Sequence, residues 1–197
     1  MPVITASYDR VAEVIREGGV ALCPTEGVYG LSCDIHNDVA VRKIIAIKRR
    51  SDAKGLITVA DSFDRVADLV DASSLSEKTK TLLHRLWPGP FTFIMPVACD
   101  FSRSLMGAHR SLAVRVTDFE PMRSICALAQ TAVVSTSANI SGQSAVNSFA
   151  DLNEEILTLV DIALNLPCGG LKAPTTIYDT ITGSLIRKGP GWEDFTL

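Results

Sequence analysis

Apolar positions along this chain recur either at helical spacing or in short unbroken runs, and the two kinds of stretch intermix to the end. Val11, Val14 and Ile15 share one face of a helix predicted over 7–17, which Gly18-Gly19 stops. Val20-Ala21-Leu22-Cys23 is a buried strand ending at Pro24, where a polar, glycine-punctuated loop opens. Asn37 or Asp38 caps a second helix carrying Val41, Ile44, Ile45 and Ala46. A strand over 56–60 follows, then a short helix over 62–70 with Phe63, Val66 and Val70 on one face. Ser74-Leu75-Ser76-Glu77 fits a capping box and opens a helix to about Leu86, which Trp87-Pro88-Gly89-Pro90 breaks. The run over 91–97 is a strand whose Pro96 places its end at a sheet edge, and 98–110 reads as an irregular loop. The pattern then predicts a strand over 111–116, a helix from Asp118 and Pro121 to Gln130, and a buried strand over 131–136. A helix over 148–158, a strand over 159–164 and a closing hairpin (175–179 and 184–187) complete it. Helices and strands without a strict βαβ repeat predict a single α/β domain, 1–197, with a mixed, twisted sheet.

Composition narrows the setting. With 47% hydrophobic and 21% charged residues the chain is an ordinary globular one. Nothing approaches 18 consecutive apolar residues, and the N-terminus has no basic segment ahead of an apolar one. Neither a membrane span nor a signal peptide is expected. Five widely spaced cysteines with no C-x-x-C pair argue against disulfides and structural zinc, and for a reducing cytoplasm. No P-loop, dinucleotide fingerprint, H-E-x-x-H or G-x-S-x-G is present, and the three histidines stand in unrelated contexts.

Charge changes the picture at one place. Between Arg42 and Lys54 six cations (Arg42, Lys43, Lys48, Arg49, Arg50, Lys54) face one anion, Asp52, in a chain of net charge −3. That local excess points to an anion site, most simply phosphate. A solvated helix face, with cations at the negative end of a helix dipole, is the plainer reading. Arg115, inside an apolar strand, requires an anionic partner or ligand. The loop Ser135-Thr136-Ser137-Ala138-Asn139-Ile140-Ser141-Gly142 is rich in groups that coordinate ligand oxygens; a turn with local hydrogen bonds would look the same. Cations and hydroxyls at strand ends suit chemistry that needs charge neutralisation more than a protein nucleophile, such as transfer at phosphorus helped by Mg²⁺.

Seven blocks in one order carry a resemblance. They are Pro24-Thr25-Glu26-Gly27-Val28-Tyr29-Gly30-Leu31, Lys48-x-Arg50, Lys54-Gly55-Leu56, Trp87 to Thr92, Ser111 to Arg115, Ser135 to Gly142, and Ile186-Arg187-Lys188-Gly189. Together they resemble the YrdC/TsaC family over nearly the whole chain, in its single-domain form. The resemblance implies a YrdC-like twisted mixed sheet flanked by helices around a basic cavity. It implies a threonylcarbamoyl-AMP synthase acting on ATP, L-threonine and bicarbonate or CO2, with Mg²⁺ accompanying the ATP and no metal ligands assigned among protein side chains. The product would feed the machinery of tRNA t6A modification, and tRNA itself is a candidate partner. Lys48, Arg50 and Lys54 would be catalytic, lining the phosphate and carboxylate region. Ser111, Ser137, Asn139 and Arg187, with Arg50 and Lys54, would bind ATP. Thr25, Arg115, Ser135 and Thr175 would hold threonine. Three positions depart from the family pattern. Gly27 stands where many relatives have threonine, Ser51 where proline is usual, and Val59 where longer relatives have histidine. Thr175 to Asp179 also resembles the YciO branch, so a paralogue with a different activity on the threonylcarbamoyl group is the alternative. A non-catalytic RNA-binding module is weaker, since the chain is acidic and Tyr29 is the only ring near the cations.

Overall fold

The computed structural model describes residues 1–192. Among these residues ten strands form one mixed sheet: β1 (Val3–Thr5), β2 (Ala21–Pro24), β3 (Tyr29–Ser32), β4 (Ile57–Ala60), β5 (Phe91–Pro96), β6 (Ser111–Val116), β7 (Val133–Ser137), β8 (Ile162–Leu164), β9 (Thr176–Asp179) and β10 (Ser184–Arg187). Their spatial order is β1-β8-β2-β3-β7-β4-β6-β5-β9-β10. The pairs β1/β8, β2/β8, β4/β6 and β5/β9 are parallel and the others antiparallel. The helices are α1 (Tyr8–Arg16), α2 (Asp38–Ile47), α3 (Glu77–Leu86), α4 (Arg103–Met106), α5 (Glu120–Ala129) and α6 (Glu154–Leu159).

The central strands read as apolar runs because both faces are covered. On β2, Leu22 joins one core cluster while Ala21 and Cys23 join another. On β7, Val134 and Val133 divide the same way. The second cluster is the layer made by α1 and α5, whose Val11, Ile15, Met122 and Ile125 are fully buried. Ser7 and Asn37 cap α1 and α2 through their side chains, Asn37 being one of the two caps expected for α2.

Several expectations need correction. The segment expected as loop after Pro24 contains β3, and β1 is a strand where the pattern predicts none. No helix forms over 62–70. Val66 and Val70 reach the core through successive turns, because Ala98 N donates to Leu69 O and Val70 bridges Val97, so pairing with the chain after β5 replaces the helix ladder. The cap of α3 is Ser76, whose side chain accepts the Thr79 amide; Ser74 ends a short 3-10 turn. β5 is an interior strand. Pro96 is tolerated there because the β9 pairing stops at Ile94, so no sheet bond on that side is lost. A short helix, α4, interrupts the loop over 98–110, and 148–158 divides into a 3-10 turn and α6. Among the described residues, no helix is long and apolar enough to cross a membrane.

Candidate functional site

Strand alternation delivers polar side chains to one open end of the sheet. On β7, Val133 packs beneath α1 and α5, while Ser135 and Ser137 on the same face line a cavity of about 550 Å³. On β6, Ser111, Ala113 and Arg115 line it, and Leu112 and Val114 turn to the opposite core. On β9, Ile177 and Asp179 line it and Tyr178 is core. Thr25, Arg50, Lys54, Thr175 and Arg187, also predicted, line it as well. Among the described residues, four permanent cations thus share the cavity with one carboxylate, Asp179. Asp179 Oδ1 accepts the Ile181 amide at 2.8 Å and the Thr182 amide at 3.3 Å, so this carboxylate is committed to a turn.

The partner that Arg115 requires is Glu26, which the sequence reading did not single out. Both are nearly fully buried, and Arg115 Nε lies 3.0 Å from Glu26 Oε1 without making a directed hydrogen bond. Glu26 Oε1 accepts the Thr117 hydroxyl at 2.7 Å; Oε2 has no hydrogen-bond partner among the described residues. Glu26 does not line the cavity; it neutralises Arg115 from behind. Arg115 Nη1 reaches Thr175 Oγ1 at 3.4 Å, and Arg187 Nη2 reaches the same oxygen at 3.4 Å. Arg187 Nε holds the Thr175 carbonyl at 2.8 Å. Burial, and after it the charge of Arg115, lowers the Arg187 pKa from its ordinary value. Two guanidiniums therefore converge on Thr175, and the one carboxylate that pairs with them, Glu26, answers Arg115 alone.

Lys54 sits opposite. It is exposed, and Ser51 starts its 3-10 turn by accepting the Ala53 amide at 3.3 Å, which is the role of the residue standing in place of proline. The turn is locked against α4: Leu56 N donates to Leu105 O at 2.8 Å and Ala108 N to Ala53 O at 3.0 Å. Gly55 and Gly107, both at positive φ, allow this approach, since a Cβ on Gly107 would stand 2.5 Å from Ala53 O. The same contact brings His109 to the cavity, a residue the sequence reading left outside it. Arg50 donates from Nη2 to Gly55 O at 2.9 Å, and burial lowers its pKa.

Two predicted residues are not brought to the cavity. Lys48 is 2% exposed and does not line it, and Asn139 lies behind Ser137. The Lys48 ammonium donates to the Ser137 and Asn139 carbonyls and to Asn139 Oδ1, because burial leaves it no water to bind. Three other cations of the 42–54 cluster are paired elsewhere: Arg42 with Asp38, Lys43 with Asp161 and Arg49 with Glu155. For these the solvated-face reading is correct. Val59 is fully buried under α5 and takes no part in the site. A Cβ on Gly27 would meet Leu171 O at 3.1 Å and Ala173 O at 3.2 Å, so glycine lets the 171–175 segment close on the cavity.

Residues 13–189 match the Sua5_yciO_yrdC family, described under telomere recombination. The chain belongs to this family. P. abyssi Sua5 complexed with L-threonine superposes with a TM-score of 0.87 at 26% identity, over 96% of this chain and 57% of that one. This chain therefore spans little more than half the length of that Sua5. E. coli YciO superposes with a TM-score of 0.79 at 21% identity, over 97% and 95% of the two chains, and shares the fold of the Sua5_yciO_yrdC family. Full-length HypF in its phosphate- and nucleotide-bound form shares that fold at 16% identity with a TM-score of 0.75, over 89% of this chain and 27% of that one.

Proposed function

We propose that this protein is an L-threonylcarbamoyladenylate synthase serving tRNA t6A modification. The observation that carries the reading is the cavity itself: four cations and a ring of hydroxyls, with one committed carboxylate, suit two anionic substrates held together. Family membership supports it, as does the threonine complex of P. abyssi Sua5.

The amine of L-threonine adds to CO2 with loss of a proton, or condenses with bicarbonate with loss of water, to give a carbamate; its oxygen attacks the α-phosphorus of ATP as the bond from that phosphorus to the bridging oxygen breaks and pyrophosphate leaves. The nucleophile is already anionic, so positioning and charge neutralisation dominate. Arg115, fixed by Glu26, with Thr25, Ser135 and Thr175 would hold the threonine and carbamate end. Arg187, Arg50, Lys54 and Ser111 would hold the nucleotide. Arg115 and Arg187 meet at one oxygen of Thr175, which would bring the reacting ends side by side. Mg²⁺ would accompany the ATP and help neutralise its phosphates.

The test is pyrophosphate release from ATP, Mg²⁺ and bicarbonate, with and without L-threonine. Release dependent on threonine and bicarbonate is expected. A folded protein that binds ATP and stays silent would overturn the synthase and favour a YciO-like activity.

A further inference from the structure

Lys48 carries a charge that this mechanism does not use. Its ammonium has three donors, and three acceptors on one loop meet them: the Ser137 carbonyl, the Asn139 carbonyl at 2.9 Å and Asn139 Oδ1 at 3.3 Å. The Lys48 carbonyl in turn accepts the Ser141 amide at 2.9 Å. One residue at the end of α2 grips 137–141 by side chain and backbone together.

The grip dictates how the loop presents its polar atoms. Asn139 Nδ2 donates to Ile140 O at 3.2 Å and Gln143 O at 2.7 Å. Turning the amide over would set its oxygen against those two carbonyls and its NH2 against the ammonium, so only one orientation is satisfied. In that orientation Oδ1 also accepts the Ser137 hydroxyl. The Ser137 proton is committed to Asn139, and Ser137 turns lone pairs to the cavity it lines. The partners of Lys48 on the loop are uncharged, and the charge that acts on it is Arg50.

We infer that Lys48 is a positioning residue: it fixes the Asn139 amide, and through it the Ser137 hydroxyl, and does not itself touch the phosphates of a bound nucleotide. The second arm of the test below rests on the nucleotide reading of the cavity; the first does not.

Lys48→Met keeps an unbranched side chain and removes every donor. Amide hydrogen exchange on the ligand-free protein at pH 7 should show Ala138 and Ser141 exchanging about tenfold faster or more, the scale of one lost charge-assisted hydrogen bond. Binding of a non-hydrolysable ATP analogue with Mg²⁺, followed by calorimetry, should weaken by a similar factor with the salt dependence unchanged, since no phosphate contact is lost. Unchanged exchange at both amides overturns the inference. So does a shallower salt slope, which would return Lys48 to the phosphates. A wild-type protein that binds no analogue defeats the nucleotide reading, and the exchange arm still decides the role of Lys48. Lys48→Gln, which keeps an amide donor, serves if Lys48→Met does not fold; if neither folds, Lys48 is a determinant of the fold and the inference falls.

Discussion

Glu26→Gln removes one charge from a buried pair and almost nothing else. Glu26 is 5% exposed and Arg115 4%, and they approach to 3.0 Å. The amide is isosteric, and its oxygen still accepts the Thr117 hydroxyl now held at 2.7 Å. The guanidinium loses its counter-charge. Removing one partner of a buried ion pair destabilises by about 3–5 kcal/mol, because the other charge stays buried. Arg115 also lines the cavity, where water reaches one side of it, so the low end, about 3 kcal/mol, applies. At roughly 2–4 °C per kcal/mol for a chain of this size, Tm should fall by about 6–12 °C. Urea unfolding followed by circular dichroism should show a lower midpoint at unchanged slope. Arg115→Met combined with Glu26→Gln should recover much of the loss, since replacing both charges leaves neither stranded. A single variant with the wild-type midpoint would refute the reasoning, and so would a double variant showing the plain sum of the two single losses.

Arg50→Ala and Lys54→Ala should each lower pyrophosphate-forming turnover by ~10²–10³-fold with the circular dichroism spectrum unchanged, on the scale of one lost preorganised contact; near-normal turnover in either would contradict their roles. Arg115→Met in the Glu26→Gln background should raise KM for threonine more than for ATP, and equal changes would remove Arg115 from the threonine end. Gly107→Ala places a methyl group 2.5 Å from Ala53 O at a φ of +75°, and should cost about 2 kcal/mol or more in urea unfolding while weakening ATP use through Lys54; wild-type stability would mean the α4 contact is not tight. Burial, and after it the charge of Arg50, pulls the Lys48 pKa from its ordinary 10.5 down to about 8. Between those values the unfolded chain holds a proton the folded chain has released. This group alone therefore makes stability rise with pH across that window, by at most about 3 kcal/mol. Lys48→Met should lack that slope, and equal shifts in both proteins between pH 7.5 and 10 would refute it.

Where local pattern decides, the sequence was legible. α1, α2, α5, β4, β6 and the closing hairpin follow from spacing and caps. β3 was not legible, because Tyr29-Gly30-Leu31-Ser32 has neither period; it is a strand because β2 and β7 flank it, and Gly30 is there because its backbone runs against Thr136 O, 3.2 Å from where a Cβ would stand. The helix expected over 62–70 lost to a bridge between Val70 and Val97, 27 residues on, which no local signal carries. The site divides likewise. Most of the hydroxyls and cations were named, since the motifs hold them in order. Glu26 was missed although Arg115 announced the need for an anion, because which acid answers it depends on the sheet order that brings the 25–28 loop against β6. Lys48 and Asn139 were misplaced for the converse reason: motif membership cannot distinguish a side chain that faces the cavity from one that holds the wall.

The charge pattern of the 42–54 segment shows how an acidic chain maintains a cationic cavity. Arg42, Lys43 and Arg49 are neutralised on the outer surface by Asp38, Asp161 and Glu155. Surface pairs of that exposure contribute little to stability, about 0–1 kcal/mol each. Their effect is on the field: they cancel outward charge that would otherwise draw anions away from the cavity. The change of direction occurs at one residue. α2 ends at Lys48, and Arg49 takes a φ of +48°, which is strained for a side chain of its size and carries the chain out of the helical path. Arg49 then points outward to Glu155 while Arg50 turns to the cavity. That conformation closes the helix end: Arg50 N donates to Ile45 O at 3.1 Å and Arg49 N to Ala46 O at 3.0 Å, which satisfies two of the last carbonyls of α2. The end of one helix thus serves both walls of the site: Lys48 holds the loop that carries Ser137, and the turn at Arg49 sends Arg50 to the cavity.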